Sequence, residues 1–536
     1  MTAETTALPV LKASLVRSGE PATRGDIVAA PPALLDLPER ALQFGTGAFL
    51  RGFVDYFVDA ANRAGKFNGR VVVVGSTGSG RDQAINDQDG LYTLAVQGIE
   101  NGEAKRELRV ISAVSRAISA SDDWPGVLAC ARNPWLEVVF SNTTEVGIEL
   151  DERDAFDDAP PRSFPAKLAR FLYERARAFA FARDKGVVVL PCELIDDNGD
   201  RLRSIVLELA ERWELAPAFA RWIGEAVPFC NTLVDRIVPG APPAAERAEL
   251  ERTLGFRDAM LTSCEPYRLF AIHVPDAPSA LPRLVTGGPS VDARAGGPAA
   301  RLSFADADPG IVVTDDVRPY RERKVRLLNG THSIMVPAAL LIGCETVREA
   351  VQHELVGPFI RRAMLDEIVP TVDAPDAAQF GAEVLDRFAN PYIRHALVDI
   401  TLHGTAKMRV RVVPSIVRYA ERSGSAPAAL ALGFAAYLEL MRGELGDARR
   451  AAGLAVPVDV PGERIRALWS EAGADADANR IGALVRRVCT DQSLWGADLT
   501  RVPGFVVAVS DHLARVRRDG IGAALEALLA GAAHAA

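Results

Sequence analysis

The sequence predicts an α/β protein in which a doubly wound N-terminal domain is followed by a mainly α-helical C-terminal domain. Three observations carry that reading. A strand, a glycine turn, a helix and a second strand succeed one another between Ala41 and Val74. Short apolar runs of strand length then recur through the first half of the chain, and from Lys324 onward apolar residues recur at helical spacing. At 536 residues the chain is too long for a single hydrophobic core, so two domains are expected, at about 40–300 and 314–536.

Residues 1–39 are rich in Ala, Pro and Thr, with Pro31, Pro32 and Pro38 interrupting any regular element, and read as a mobile tail. Ala41 to Phe44 forms a short buried strand, Gly45 to Ala48 a turn, and Phe49, Phe53 and Phe57 one face of a helix; Val71 to Val74 is the second strand. This is the opening of a Rossmann-like dinucleotide-binding unit. The glycines let the backbone approach a pyrophosphate, and the helix start offers N–H groups and positive dipole. Leu50 occupies the third-glycine position of Gly-x-Gly-x-x-Gly, and the next glycine is Gly52. After the second strand the chain reads Gly75-Ser76-Thr77-Gly78-Ser79-Gly80-Arg81, with no acid to grip the ribose. Arg81 suits a 2′-phosphate, so these residues leave NAD and NADP both open.

Strands at 91–96 and 108–112 are joined across Asn101-Gly102, a hairpin signal. A helix follows at 124–130, then a strand at 136–140 that runs into Ser141-Asn142-Thr143-Thr144-Glu145. Ligands of open α/β sheets sit at the carboxyl ends of strands, so this loop is placed to meet the nicotinamide end of a cofactor. An amphipathic helix at 166–181 and a buried strand at 186–191 come next, and Asn231 and Asp235 stand four residues apart in Asn-Thr-Leu-Val-Asp-Arg. Residues 275–310, rich in Gly, Pro, Ala and Asp, read as a linker. Helices are predicted beyond it at 345–353, 358–364, 428–441, 463–472 and 479–488, with an Ala-rich final helix after Gly522.

Charge and composition narrow the function classes. A net charge of -9 argues against wholesale nucleic-acid binding, which rewards a basic face. The six cysteines are scattered, with no Cys-x-x-Cys and no cluster with His, so reduced cytosolic thiols and no metal site are expected. The N-terminus lacks a basic segment followed by an apolar core, and no run approaches eighteen uninterrupted apolar residues; a cytoplasmic protein with no membrane partner is expected.

The chemistry is read from Lys324-Val325-Arg326-Leu327-Leu328-Asn329-Gly330-Thr331-His332. On an α-helix turning ~100° per residue, Asn329 lies ~140° and His332 ~80° around from Lys324, so the three fan over half of the cylinder. Desolvation disfavours a lysine's ammonium form and lowers its pKa from ~10.4 toward the range of a general base acting on an alcohol. An amide and an imidazole beside it would hold the same oxygen as alkoxide character develops.

These pieces, in this order, resemble the polyol-specific long-chain dehydrogenases, the family of mannitol dehydrogenase and the hexuronate reductases, over about residues 40–500. The most specific match is Lys-x-x-x-x-Asn-x-x-His at Lys324, Asn329 and His332. The resemblance implies that Lys324 is the general base, that Asn329, His332 and the upstream Asn231 orient the substrate oxygen, and that Gln43, Phe44, Gly45, Thr46, Gly47, Ala48, Phe49, Leu50 and Arg51 hold the cofactor, with Asn142 and Thr143. Phe-Leu-Arg-Gly at 49–52, Ser-Asn-Thr-Thr-Glu at 141–145 and Asn-Pro-Tyr-Ile-Arg-His at 390–395 look most like the hexuronate-reductase branch, which implies NAD and a sugar-acid substrate. Mannitol-type relatives tend to carry Glu where this chain has Arg321. A sugar acid brings a carboxylate that must be paired when taken out of water, and Arg321, His395 and Lys407, with Asp235, are the expected substrate-binding residues. The active site is expected in the cleft between the domains. A neutral polyol dehydrogenase and a catalytically silent nucleotide-binding protein are the competing readings, the second opposed by the intact Lys, Asn and His.

Overall fold

A computed structural model of the chain describes residues 8–19, 27–76, 80–143, 147–275, 302–374, 376–443, 459–473 and 475–533. It divides into two compact units, Met1–Gln97 with Ala104–Val317, and Gly98–Glu103 with Arg318–Ala536.

The first unit is built on five parallel strands in the spatial order Val114–Ser119, Arg70–Gly75, Glu39–Phe44, Val138–Ser141, Val188–Pro191. In chain order that is 3-2-1-4-5, and Phe229 adds a sixth pass through a parallel bridge to Val189. This is the doubly wound order, whose direction reverses between Glu39–Phe44 and Val138–Ser141. The strands are apolar on both faces because helices cover both. Leu42, Phe44, Val72, Val74 and Val139 pack under the helices Phe164–Ala178 and Asn198–Arg212, while Ala41, Val71, Val73, Val138 and Phe140 pack against Phe53, Val54 and Phe57. The helix expected through Phe49, Phe53 and Phe57 is broken at Phe53, whose φ of -128° and ψ of -76° separate Ala48–Gly52 from Val54–Arg63. The phenylalanines still stack: ring centroids of Phe49 and Phe53 are 5.0 Å apart, and Phe53 meets Phe270 at 5.3 Å.

A four-stranded sheet and a three-stranded sheet complete this unit. In the first, Tyr92–Glu100 and Glu103–Ile111 turn at Asn101 (φ 56°) and Gly102 (φ 78°), the paired positive dihedrals that favour Asn-Gly in a two-residue hairpin.

Two expectations are corrected here. The stretch before residue 40 was expected as a tail, yet Leu11, Val16, Ala30 and Leu35 are buried against Leu108, Val110, Leu250 and Phe256, and Ile27–Val28 pairs in parallel with Leu108 and Arg109. Its apolar residues are too sparse to show a period and are ordered by tertiary contact alone; residues 1–7 and 20–26 lie outside the described residues. The C-terminal end of the expected linker is likewise core. Phe304 is buried with its ring 5.7 Å from Phe140, and Ile311–Thr314 pairs with Leu269–His273, whereas 276–301 lie outside the described residues.

The second unit is helical. Thr331–Ile342, Ala428–Met441 and the long Phe505–Ala533, kinked at Gly520, form its centre. Gly433 allows the first two to touch: a Cβ there would lie 2.4 Å from Ile334 Cγ1. The continuous helical span Arg318–Ile342 has the length and hydropathy to cross a membrane, but 72% of its most apolar window is buried inside the protein, as befits a core helix. Within that span, Lys324–Gly330 is π-helical, as are Arg362–Ile368 and Met408–Val412.

Candidate active site

In the first unit the glycine turn follows Glu39–Phe44 at the point where strand order reverses. Gly45 has a φ of 126°, and a Cβ on it would lie 3.0 Å from the Asn142 carbonyl oxygen, so both dihedral and space demand glycine. Around Gly47, by contrast, a Cβ would meet nothing within 4 Å among the described residues, which leaves the backbone at the start of Ala48–Gly52 open on their side. Leu50, at the third-glycine position, is buried, and the close-packing role passes to Gly52, where a Cβ would lie 2.7 Å from Val238 Cγ1. Gln43 is fully buried and donates from Nε2 to the Gly45 carbonyl at 3.1 Å, and its Oε1 has no partner among the described residues. An open glycine and an orphaned amide oxygen beside it fit a dinucleotide.

Most other side chains here brace the turn. Buried Arg51 donates to the Thr46 carbonyl at 2.6 Å and to Thr262 Oγ1 at 3.0 Å, so its guanidinium holds the turn's backbone. The Tyr92 hydroxyl lies 2.8 Å from the Arg51 carbonyl and 3.0 Å from Asp55 Oδ2. One phenolic hydrogen cannot serve two acceptors, and a protonated Asp55 removes the conflict by donating to the phenol oxygen. Desolvation, opposed by Tyr92 and Arg51, accordingly raises Asp55 to a pKa of about 7.

Asn142 donates from Nδ2 to the Cys192 carbonyl at 2.7 Å. Thr143 gives both its N–H (2.9 Å) and its hydroxyl (3.1 Å) to Glu193 Oε1, while Ser141 Oγ donates to Oε2 at 3.1 Å. Glu193 is a residue that sequence reasoning passed over, although its place just beyond the strand Val188–Pro191 marked it. Residues 144–146 and 77–79, parts of two loops expected to meet the cofactor, lie outside the described residues; Arg81 is exposed at the start of Arg81–Asp87.

Asn231 stands at the start of Asn231–Asp235. Its Oδ1 accepts from the N–H groups of Gly199 (2.9 Å) and Asp200 (3.0 Å), and its Nδ2 donates to Asp200 Oδ2 at 2.8 Å. The amide oxygen is thus spent on the amino end of Asn198–Arg212, leaving one Nδ2 hydrogen for a ligand. Asp235 is buried at the far end of the same strand.

In the second unit the expected fan of Lys324, Asn329 and His332 is corrected by the π-helix. Hydrogen bonds from i to i+5 widen the turn, so Asn329 stands about one turn above Lys324 rather than ~140° away, and His332, three residues on, follows on the same side. Gly330 permits this bulge to pack: a Cβ there would meet the Arg411 carbonyl oxygen at 2.9 Å. Ser333 Oγ donates to the Asn329 carbonyl at 2.9 Å, answering a backbone acceptor next to the register change.

The Asn329 side chain has no partner among the described residues. His332 is buried with its ring 4.2 Å from Phe388, stacked, and 5.1 Å from His395, edge on, and its Nε2 has no hydrogen-bond partner among the described residues. Desolvation, reinforced by His395, Arg387, Arg411 and Lys407, holds its pKa well below the ordinary imidazole value, so the ring is neutral at pH 7. Buried polar atoms are normally paired. An unpaired Nε2 within electrostatic reach of Arg387, Arg411 and Lys407 suits a small polar anion.

Of the expected substrate-binding cations, His395 is half-buried and shifted down by desolvation and by Lys407 against the pull of Asp399. Lys407 donates to the Ile400 carbonyl at 2.9 Å and lines a small pocket with Ser333, Pro337, Thr401 and Tyr437. Arg321 is partly buried one turn before Lys324, its pKa lowered by desolvation. Arg387 and Arg411, beside His332 in space, were not singled out by sequence; they sit in helices whose arginines all look alike in a linear reading.

Comparison with known proteins agrees with both halves. The family model described as the mannitol dehydrogenase Rossmann domain matches residues 39–285, and that of the mannitol dehydrogenase C-terminal domain matches 316–517. An altronate oxidoreductase of Bacillus subtilis is 40% identical over 489 residues, 91% of this chain and 95% of the relative. One from Escherichia coli is 39% identical over 500 residues, 92% and 97% of the two chains. Among solved structures, the mannitol 2-dehydrogenase of Pseudomonas fluorescens, in ternary complex with NAD and D-mannitol, superposes with a TM-score of 0.64 at 23% identity, over 97% of this chain and 99% of that one. A substrate-free D-sorbitol dehydrogenase gives a TM-score of 0.72 at 22% identity, over 96% and 100%. The chain belongs to the mannitol dehydrogenase family.

Proposed function

We propose that the protein interconverts D-altronate and D-tagaturonate, with NAD as the redox partner and Lys324 as general base, in the cytoplasm. The observation that carries this reading is a lysine aligned with an unspent amide and an unspent neutral imidazole, within a group of cations, in a chain 40% identical to altronate oxidoreductases. The six cysteines are buried and form no disulfide among the described residues, which is consistent with a reducing compartment.

NAD, when bound, would supply the acceptor for the two electrons and the hydrogen of the carbinol carbon. Gly45, Thr46, Gly47 and Ala48 would receive its pyrophosphate on their backbone, Gln43 and Phe44 would lie beneath it, and Phe49, Leu50 and Arg51 would hold the turn in shape. Asn142 and Thr143 would border the nicotinamide. In the second unit Lys324 accepts the hydroxyl proton as the carbon becomes a carbonyl. Asn329 donates to the oxygen throughout, and His332, neutral, donates without supplying a charge that would trap the alkoxide. Asn231 keeps one N–H for the oxygen-orienting role that the family resemblance gives it, and Asp235 stands at the other end of its strand. Arg321, His395 and Lys407 position the rest of the sugar acid.

The mannitol and sorbitol dehydrogenases among the structural neighbours suggest a neutral polyol instead, and the cations around His332 disfavour it. Oxidation of a panel of aldonates and alditols with NAD and with NADP decides between them. Altronate with NAD is expected to give the highest kcat/KM. A preference for mannonate would move the assignment to a neighbouring hexuronate, and a preference for an alditol would overturn the sugar-acid reading.

A further inference from the structure

Among the described residues, Arg411 is a cation of this group whose guanidinium meets no hydrogen-bond acceptor or carboxylate. It lies in the π-helical turn Met408–Val412, which packs on the π-helical turn Lys324–Gly330 so closely that Gly330 is needed to clear the Arg411 carbonyl. Its charge reaches both His332 and Lys407. Other arginines nearby are matched: Arg326 lies 3.5 Å from Glu322 and 3.1 Å from Ser415 Oγ, Arg418 2.9 Å from Glu322, and Arg422 2.7 Å from Asp373. Arg411, only partly exposed, meets no carboxylate and makes no side-chain hydrogen bond among the described residues. Burial alone pushes its pKa down. Lys407 differs, because one of its three hydrogens is already given to the Ile400 carbonyl.

A guanidinium held partly out of water with nothing to pair is costly unless an anion arrives, and its planar fork matches a carboxylate in a two-bonded geometry that a lysine cannot offer. We propose that Arg411, rather than Lys407, receives the carboxylate of the substrate, and so makes this site selective for sugar acids over neutral polyols. The inference rests on the sugar-acid reading above and names the residue that enforces it.

The test compares Arg411→Met, Arg411→Lys and Lys407→Met in the full-length protein, with KM and kcat for altronate, kcat/KM for a neutral alditol, and the dissociation constant for NAD. Arg411→Met is expected to raise KM for altronate about 10- to 100-fold, the range of a lost charge-assisted pair. The ratio of kcat/KM for altronate to that for the alditol should fall by a similar factor, with NAD affinity kept. Arg411→Lys should recover only part of the loss, and Lys407→Met should cost less than Arg411→Met. A KM for altronate unchanged in Arg411→Met, equal losses on acid and alditol, or a larger loss in Lys407→Met would each overturn the assignment. Should Arg411→Met fail to fold, Arg411→Lys carries the test alone: a wild-type KM would sink the two-bonded pair. Absence of altronate turnover in the wild-type protein would instead remove the sugar-acid reading itself.

Discussion

The glycine turn of the first unit and the π-helical turn of the second are both places where the backbone departs from its regular path, but they use that departure in opposite ways. Around Gly45 and Gly47 the side chains are consumed: Arg51 holds the Thr46 carbonyl, Asn142 the Cys192 carbonyl, Glu193 the Thr143 N–H, and Asn231 caps a helix. What is left to offer is mostly main chain, with Gln43 Oε1 beside it. Around Lys324 the backbone is satisfied by helix, and side-chain atoms remain unspent: the amide of Asn329, Nε2 of His332, the guanidinium of Arg411. A dinucleotide pyrophosphate common to many enzymes can be read by N–H groups, whereas a particular sugar acid must be told from its relatives by side chains placed for it. On the proposed reading the first turn serves a general ligand through its main chain and the second a particular one through its side chains.

The largest effect that would sharpen this contrast is expected from Lys324→Ala. General-base removal costs ~10²–10⁴-fold, so kcat should fall by about that factor while NAD binding, measured by fluorescence titration, stays near wild type. Full turnover in this variant would remove Lys324 from the proton path.

A smaller loss is expected at the brace. Glu193→Gln keeps the shape but puts a donor in place of one acceptor oxygen, so Thr143 or Ser141 loses its partner, at about 1–3 kcal/mol. NAD affinity should drop by up to ~100-fold and KM for altronate change little at saturating NAD. A change confined to altronate KM would place Glu193 with the substrate and blur the division between the two regions.

A further effect, on stability rather than on binding, is a slope. Asp55 has a folded pKa of about 7 against an ordinary value of 3.8, so between those values the folded protein holds a proton that the unfolded chain has released. Its stabilising contribution is full below the unfolded pKa and is lost as pH rises through 7, at up to ~1.4 kcal/mol per pH unit. Asp55→Asn should flatten the decline in melting temperature between pH 4 and 7 relative to wild type. An unchanged slope would show that Asp55 is already ionised in the fold.

How much of this was legible beforehand follows the range of the forces involved. The doubly wound domain could be read because strand, glycine and helix signals are local, and Asn101-Gly102 announced its own hairpin. Lys324, Asn329 and His332 were legible as a pattern, but their alignment was not, since an α-helical projection applies the wrong angle across a π-helical turn that depends on packing against Met408–Val412. Asn231 was read as an oxygen-binding amide, and its capping of Asn198–Arg212 depends on residues thirty positions away. The order before residue 40 was hidden for a similar reason: Leu11, Val16 and Leu35 have no period of their own and are fixed by a distant core.

The division of labour itself is tested most directly by crossing one substitution from each region, Gly45→Ala and Asn329→Ala, and measuring NAD affinity and altronate kcat in both. Gly45→Ala meets the Asn142 carbonyl and an unfavourable φ, a strain of ~1–3 kcal/mol, and should weaken NAD binding about 10- to 100-fold while kcat at saturating NAD is retained. Asn329→Ala should lower kcat by about 100- to 1,000-fold, the usual loss of an oxyanion donor, with NAD affinity unchanged. If both variants shift both quantities together, the two turns do not act as separate cofactor and substrate sites, and the account fails.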